Sequence, residues 1–153
     1  MKKIIFILAL TSLVPPAISQ DDISSLKDTY AKWIEAWNDG DSKAVAKISW
    51  GNYGFGRDVP FLRSGTTDSV SYEQGIQRYM NSMLSIDYKA HQTNFRIIDG
   101  IGFVDGFYEQ TTQQTNGPLR SVYGRQSLVF LKQGGNWKMK HYHRSALPNE
   151  FTR

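Results

Sequence analysis

The hydrophobic pattern changes from helical to strand-like along the chain, and this change limits what the chain can fold into. In residues 21–37 apolar side chains recur at steps of three and four, which is typical of one buried helix face. From residue 91 onward they alternate with polar residues, as in strands that are buried on one side. Helices followed by a run of strands indicate an α+β domain.

Three helices are predicted in the first half of the chain. The first ends at the turn 38–41, where Gly40 suits the position that follows a helix. Asp41 or Ser42 then caps a second, short helix. A third amphipathic helix is predicted over residues 71–85.

The second half of the chain predicts a four-stranded antiparallel meander. Short turns rich in glycine and asparagine separate the strands, which suits hairpins. The predicted strands are residues 91–98, 102–113, 120–131 and 137–145. With the helices packed on one face of a curved antiparallel sheet, the predicted fold is an α+β domain.

Residues 1–19 have the composition of a secretory signal peptide. A basic start, a mostly apolar run and a small-x-small exit follow one another there. The apolar run is shorter than the about 20 residues that a membrane span needs. We therefore expect cleavage after Ser19, a single domain over residues 20–153, and a periplasmic or secreted protein with no membrane attachment after cleavage.

The charge balance, the lack of cysteine and the lack of nucleotide-binding motifs argue against nucleic acid, disulfides and a cofactor. The chain carries a net charge of +4, but removing Lys2 and Lys3 from its 18 basic residues leaves 16 against 14 acidic ones. No concentrated basic stripe remains, so nucleic acid is not an expected partner. The chain has no cysteine, no phosphate-binding loop and no dinucleotide glycine fingerprint, so we predict neither disulfides nor a cofactor.

Two runs of the chain, together with the strand at His91 and the hairpin at 116–117 that lie between them, resemble a known family. The run WIEAWNDGDSKAVAKI, residues 33–48, resembles the start of the nuclear transport factor two-like superfamily: a long helix, a tight turn and a second helix. The run GGNWKMKHYHRSALP, residues 134–148, resembles the last strand of its SnoaL-like branch and of the calcium/calmodulin-dependent kinase II association domain. The resemblance implies the cone fold, which hosts isomerases, cyclases, dehydratases and assembly modules.

The resemblance also implies which side chains line the pocket of the cone. In the association-domain relatives the strand arginine faces inward, which places Tyr142 and Arg144 in the pocket. Tyr30 and Trp33 on the first helix offer an aromatic wall opposite them, and His91 matches a histidine of those relatives. These five residues are the predicted ligand-binding set.

Arg144 limits the choice of ligand, because a buried guanidinium needs an anion. One predicted partner is an internal carboxylate, either Glu109 or Asp58. The other is the carboxylate of a small organic acid, bound in bidentate fashion. A solvent-exposed Arg144 would need neither.

Two carboxylates are candidates for catalysis. Isomerases and cyclases of this superfamily use a pocket carboxylate with a raised pKa as general base. Asp58, in GFGRDVPF, lies near the position of the catalytic aspartate in steroid-isomerase relatives, and Glu109, in GFYEQT, is flanked by aromatic residues. A structural or solvated role is the competing interpretation for both.

His141 and His143 raise the question of a metal site. Strict alternation places them about 7 Å apart on one strand face, together with Trp137 and Met139. A structural zinc site usually takes four ligands, so no metal is predicted. An interface position and a pocket position both remain open for the two histidines.

The outer face of the sheet is the predicted surface for self-association. Met139, His141 and His143, with Val129 or Phe130 from the neighbouring strand, would expose an apolar patch in a monomer. We therefore expect a homodimer or a larger homo-oligomer.

The leading hypothesis is an exported domain that binds a small, acidic organic molecule and self-associates through its sheet. The alternative is a cofactor-independent enzyme, an isomerase, cyclase or hydratase, that uses a pocket carboxylate as general base. An immunity or scaffold module of a secreted system is a third class with the same fold.

Overall fold

The computed structural model describes residues 20–49 and 69–148, and these form an α+β domain, as predicted. Within these two ranges three helices precede four strands. They are α1 (Gln20–Asn38), α2 (Ser42–Ser49), α3 (Ser69–Asn81), β1 (Met83–Ile98), β2 (Ile101–Gln114), β3 (Leu119–Gln133) and β4 (Asn136–Ala146). The predicted leader and Asp58 lie outside the described residues. No described helix is long and apolar enough to cross a membrane.

The connection between α1 and α2 follows the predicted pattern. Gly40 has a φ of 72°, the left-handed conformation in which glycine ends a helix without steric cost. The backbone N–H of Ala44 donates to Asp41 Oδ1 at 2.8 Å, which identifies Asp41 as the cap of α2. The predicted pair of helices is therefore confirmed.

The four strands form one antiparallel sheet in the order β1-β2-β3-β4. Two hairpin turns have positive φ at both central residues: 49° and 76° at Asp99 and Gly100, and 56° and 79° at Gly134 and Gly135. Such turns match the right-handed twist of the strands that they join. They confirm the predicted meander.

The boundary between α3 and β1 differs from the prediction. Ser82 closes α3 by donating from its N–H and its hydroxyl to the Tyr79 carbonyl, at 3.0 and 2.6 Å. β1 then begins at Met83, so the predicted helix up to residue 85 is wrong. The strand alternation already runs through residues 86–90, because Tyr88 is buried there between exposed neighbours.

The hydrophobic core lies between the helices and one face of the sheet, the inner face. Its largest fully buried side chains are Trp33, Phe130, Leu26, Ile76, Leu128, Met139, Val45 and Val104. Gly102 brings α1 close to the sheet, because a Cβ at this position would lie 2.9 Å from a Leu26 methyl carbon. The outer face carries half-buried and exposed side chains.

A bulge in β4 changes the alternation that the sequence predicted. Phe130 pairs with Met139 and Val129 pairs with His141, so Lys140 is an extra residue on β4. The extra residue shifts the strand alternation by one position. Across the bulge, two side chains that would share a face in a regular strand therefore lie on opposite faces, and two that would lie on opposite faces share one.

The bulge corrects two predictions. Trp137, Met139 and Tyr142 are all buried in the core, whereas His141 is half-buried and His143 is exposed. The prediction that Trp137 and Met139 share a face with the two histidines is therefore wrong. Met139 also cannot belong to an exposed self-association patch, and the same holds for Phe130, since both are 0% exposed.

Candidate functional site

The inner face carries a hydrogen-bonded group of Tyr30, Tyr88, Gln126 and Tyr142, which we call the inner polar cluster. Gln126 Nε2 donates to the Tyr30 hydroxyl, and the Tyr88 hydroxyl donates to Gln126 Oε1, both at 2.6 Å. The Tyr88 and Tyr142 hydroxyl oxygens are 3.3 Å apart. All four residues are buried. Because an unpaired buried polar group is costly, the network holds α1, β1, β3 and β4 in one arrangement.

Arg144 lies beside the inner polar cluster and is half-buried. Its Nη1 donates to Gln110 Oε1, and its guanidinium lies 5.5 Å from the centroid of the Tyr108 ring. Burial lowers the pKa of Arg144, but the neighbouring phenols, with Tyr142 first, outweigh burial and raise it. Arg144 therefore remains a cation.

Gly124 makes room for this arrangement. It pairs with Tyr108 of β2 on one side and with Ala146 of β4 on the other. A Cβ at Gly124 would lie 2.5 Å from Tyr108 Cε1 and closer still to the Ser145 carbonyl oxygen. Without a side chain at this position, the Tyr108 ring can lie against β3 and beneath Arg144.

The predicted pairing of Arg144 with Glu109 is wrong. Glu109 lies on the outer face, where its Oε1 accepts from the Tyr123 hydroxyl at 3.0 Å and its Oε2 lies 3.5 Å from His91 Nε2. Its neighbour on β2, Gln110, faces inward instead, because successive strand residues point to opposite faces. Within residues 20–49 and 69–148 no carboxylate oxygen lies within 4.0 Å of the guanidinium of Arg144.

The structure brings together four of the five predicted ligand-binding residues. Tyr30, Trp33, Tyr142 and Arg144 lie between α1 and the inner face, and the Trp33 and Tyr142 ring centroids are 5.4 Å apart. His91 lies on the outer face beside Glu109, so the prediction that it lines the same pocket is wrong. Asp58, the other catalytic candidate, falls outside the part of the chain that the structure describes.

Burial keeps the inner tyrosines neutral. It raises the pKa of Tyr72 to about 12, although a hydrogen bond with Ser49 acts in the opposite direction. Burial also raises the pKa of Tyr30 and of Tyr88. At neutral pH these phenols donate and accept hydrogen bonds and do not act as anionic bases.

Within the part of the chain that the structure describes, two indole N–H groups beside the inner polar cluster have no hydrogen-bond partner. They belong to Trp33 and Trp37, which are 2% and 8% exposed. Trp137 differs from them, because its Nε1 donates to Ser25 Oγ at 3.0 Å. Unpaired buried donors are rare in folded proteins and call for an explanation.

The sequence analysis missed the two glutamines that organise the site. Gln110 and Gln126 are 9% and 3% exposed, yet the other buried residues of their strands are glycine, aliphatic or aromatic. Strand alternation alone would have placed both of them on the inner face. Because buried amides almost always have hydrogen-bond partners, this placement could have predicted that both glutamines hold polar groups of the site.

Two open clefts lie away from Arg144. One, of about 510 Å³, separates α1, α2 and the start of β4 and is lined by three lysines and three carboxylates. The other, of about 530 Å³, lies at a bulge in β1 and includes Asp105 and Arg125. Among the described residues no three potential metal ligands are grouped together. The surroundings of Arg144 therefore remain the candidate site.

Comparisons with known proteins agree with this architecture. Residues 26–150 match the family model of the SnoaL-like domain. No curated protein sequence is significantly similar to the chain.

Solved structures with the same fold are numerous. A candidate dehydratase of the nuclear transport factor two-like family from Streptomyces avermitilis has a TM-score of 0.71 at 13% identity, over 85% of this chain and 99% of its own. A candidate calcium/calmodulin-dependent protein kinase II association domain from Xanthomonas campestris has a TM-score of 0.64 at 21% identity, over 88% and 93%. A candidate scytalone dehydratase from Novosphingobium aromaticivorans has a TM-score of 0.69 at 11% identity, over 84% and 85%. At these identities the likeness shows the fold alone.

Proposed function

Because the chain belongs to the SnoaL-like domain family, whose cone fold encloses ligands or active sites in other members, we propose that it binds a small organic acid beside Arg144. One observation carries the proposal. Arg144 is half-buried and has neutral partners, Gln110 and the Tyr108 ring, in the described part of the chain. A buried cation held in this way is ready to accept an anion from a ligand.

The geometry of the guanidinium favours a carboxylate. Arginine has five N–H donors in a rigid fork, and Gln110 Oε1 accepts from one of its nitrogens. The donors that remain match the two oxygens of a carboxylate. Trp33 and the neighbouring tyrosine rings supply an apolar, aromatic wall, so an acid with an aromatic body fits best.

Calorimetric titration of Arg144→Ala with phenylpropanoate and its neutral amide tests the proposal. A charge-assisted hydrogen bond contributes about 1.5–3 kcal/mol, so the acid should bind the variant about ten- to a hundredfold more weakly. The amide should bind both proteins weakly and equally.

Arg125→Ala is the matched control. Arg125 also lies over an aromatic ring, 5.8 Å from the Phe107 centroid, but on the outer face. Its removal should leave acid binding unchanged. If Arg144→Ala binds the acid as well as the wild type does and only loses stability, Arg144 is a structural residue and the proposal fails.

Proton-transfer catalysis is the second candidate function, and the candidate dehydratases among the structural neighbours favour it. The described inner-face residues named above supply no carboxylate, so Asp58 is the base that this function would use. We expect Asp58→Asn to bind phenylpyruvate normally but to lose any enzyme-dependent exchange of its methylene protons with deuterated water. Wild-type protein that gives no exchange above the buffer rate contradicts catalysis and leaves binding intact.

We propose further that a second copy of the chain covers part of the outer face. Ile98, Ile101 and Leu131 pair in one row across three strands, and Ile98 and Leu131 are 53% and 37% exposed. An exposed aliphatic row of this kind suits a homodimer, and one structural neighbour is described as an association domain. Leu131→Lys should give a monomer in light scattering, whereas Val70→Lys on α3 should not. A wild-type monomer at high micromolar concentration contradicts the proposal.

Export remains part of the proposal. A signal sequence over residues 1–19 predicts a mature chain that begins at Gln20. N-terminal sequencing of periplasmic or secreted material checks it, and a chain that still begins at Met1 contradicts it.

A further inference from the structure

We infer that the indole N–H groups of Trp33 and Trp37 donate to the ligand, so that the bound molecule is an oxo acid whose ketone oxygen accepts from α1. The inference rests on the proposed function and adds the chemical class of the acid. Both N–H groups are buried, and among the described residues neither has a hydrogen-bond partner. A donor in this state loses its hydrogen bonds to water and gains none in return.

The two tryptophans flank the surroundings of Arg144. The Trp33 ring packs edge-on against Tyr142, and the Trp37 ring packs edge-on against Tyr79, with centroids 5.4 and 6.1 Å apart. The phenols of Tyr142 and Tyr79 both act electrostatically on Arg144. Each indole therefore contacts a tyrosine that is itself a neighbour of Arg144, where the carboxylate is proposed to bind.

The amide acceptors of the site are already occupied. Gln126 Oε1 accepts from Tyr88, and Gln110 Oε1 accepts from Arg144. The Gln126 amide cannot turn over without loss, because its Nε2 also lies 3.4 Å from the Phe107 carbonyl oxygen, which can only accept. Within residues 20–49 and 69–148 these amides therefore do not supply the acceptor that the indoles lack, and a bound molecule would supply it.

These assignments favour a ketone over an alcohol. A ketone oxygen offers two lone pairs and brings no donor of its own. A hydroxyl group at the same place would bring a donor into a site whose amide acceptors are in use, and that donor would stay unpaired. A methylene group would leave the indoles as they are. The expected order of affinity is oxo acid, then hydroxy acid, then the plain acid.

The test compares matched ligands. Phenylpyruvate, phenyllactate and phenylpropanoate differ only in the group next to the carboxylate, and benzoylpropanoate and phenylbutanoate form a second pair with a more distant ketone. One neutral hydrogen bond corresponds to about three- to tenfold in affinity. We expect at least one of the two oxo acids to bind more tightly than its methylene analogue by about this factor.

Replacing a tryptophan with benzothienylalanine removes the N–H and keeps the shape of the ring. At position 33 or 37 the ligand-free protein should melt at a higher temperature, because an unpaired buried donor has been removed, and the preference for the oxo acid should shrink or vanish. The same replacement at Trp137 is the control. It breaks a hydrogen bond to Ser25, so the melting temperature should fall and the preference should stay.

Two results would overturn the inference and leave acid binding at Arg144 intact. One is equal affinity for each oxo acid and its methylene analogue. The other is a lower melting temperature after replacement at both Trp33 and Trp37, which would show that the N–H groups point at the faces of neighbouring rings and are satisfied there. Acid binding that is unaffected by Arg144→Ala would instead overturn the proposed function itself.

Discussion

The two faces of one sheet treat charged and polar groups in opposite ways. On the inner face, neutral amides and phenols hold Arg144 and the inner polar cluster, and the bonds that join Gln126 to Tyr30 and to Tyr88 are both 2.6 Å long. On the outer face, Arg96 pairs with Asp105 and His91 lies near Glu109, and these side chains are between 21% and 62% exposed.

The difference shows which face of the sheet contributes more to the stability of the fold. Water screens the outer pairs, so their loss should matter little. The inner groups have no water to replace a lost partner, so each of them depends on its neighbours. Alternate residues of the same strands therefore differ widely in the stability that they control, and the predictions below probe that contrast.

High pH should produce the largest effect, and it should come from the inner face. The pKa of Tyr72 is about 12 in the folded chain, above its ordinary value of 10.0. The folded state thus keeps a proton that the unfolded state loses, so stability is full below pH 10 and falls as pH rises toward 12. The raised pKa of Tyr72 alone lowers the free energy of unfolding by about 2–3 kcal/mol at the top of this range. The raised pKa values of Tyr30 and Tyr88 lower it further.

Phenolate absorbance and circular dichroism, followed together against pH, check this expectation. The buried phenols should ionise only as the helices unfold. Tyr123→Phe on the exposed outer face should leave the unfolding pH unchanged. Ionisation of the buried tyrosines in a chain that is still folded would contradict the contrast between the faces.

Gly124→Ala should be the most damaging of the single substitutions. Overpacking typically costs about 1–3 kcal/mol and occasionally more. We expect about 3 kcal/mol here, because the new methyl group would lie 2.5 Å from Tyr108 Cε1 and closer still to backbone. Gly117→Ala is the control, since its methyl group would mainly meet the flexible side chain of Gln114. Urea unfolding of both variants measures the difference, and equal small losses would contradict the close packing at Gly124.

Gln126→Leu should cost about 2 kcal/mol. The substitution removes partners from Tyr30 and Tyr88 without opening a large cavity, and an unsatisfied buried hydroxyl costs about 1–3 kcal/mol. Gln133→Leu, at the exposed end of β3, should change stability by less than about 0.5 kcal/mol. Equal effects of the two substitutions would remove the distinction between buried and exposed amides.

The outer ion pair between Arg96 and Asp105 should have the smallest effect. Its side chains are 62% and 37% exposed, and exposed pairs typically couple by less than about 1 kcal/mol. A double-mutant cycle with Arg96→Ala and Asp105→Ala, repeated in high salt, measures that coupling. A coupling energy of several kcal/mol that does not change with salt concentration would show that water and ions do not screen this outer pair.

Local sequence signals predicted most of the fold. Gly40 and Asp41 mark the break between α1 and α2, and the paired positive-φ residues at 99–100 and 134–135 mark two hairpins. Each signal depends on backbone geometry that few residue types satisfy, so it survives in any tertiary context. The start of β1 was missed, because Met83 and Leu84 are apolar and suit either a helix or a strand.

The candidate site was only partly predictable. Tyr30, Trp33, Tyr142 and Arg144 were placed on the inner side by helical spacing and family resemblance. The partner of Arg144 was missed, because a carboxylate was expected there and the alternation of β2, which points Gln110 inward and Glu109 outward, was not used. The histidines were placed with the wrong neighbours because a bulge depends on how two strands meet, which one strand's residues do not reveal.

The bulge at Lys140 can be recognised in related sequences from the number of residues between two inward-facing side chains. Two side chains that point the same way from a regular strand are separated by an even number of positions. Trp137 and Arg144 both point inward, yet their numbers differ by seven, and an odd difference requires an inserted residue between them. A relative whose corresponding tryptophan and arginine lie six or eight positions apart should therefore have a regular last strand. A gap beside position 140 in a pairwise alignment would then record a change in the shape of the strand, with the same two side chains still facing inward.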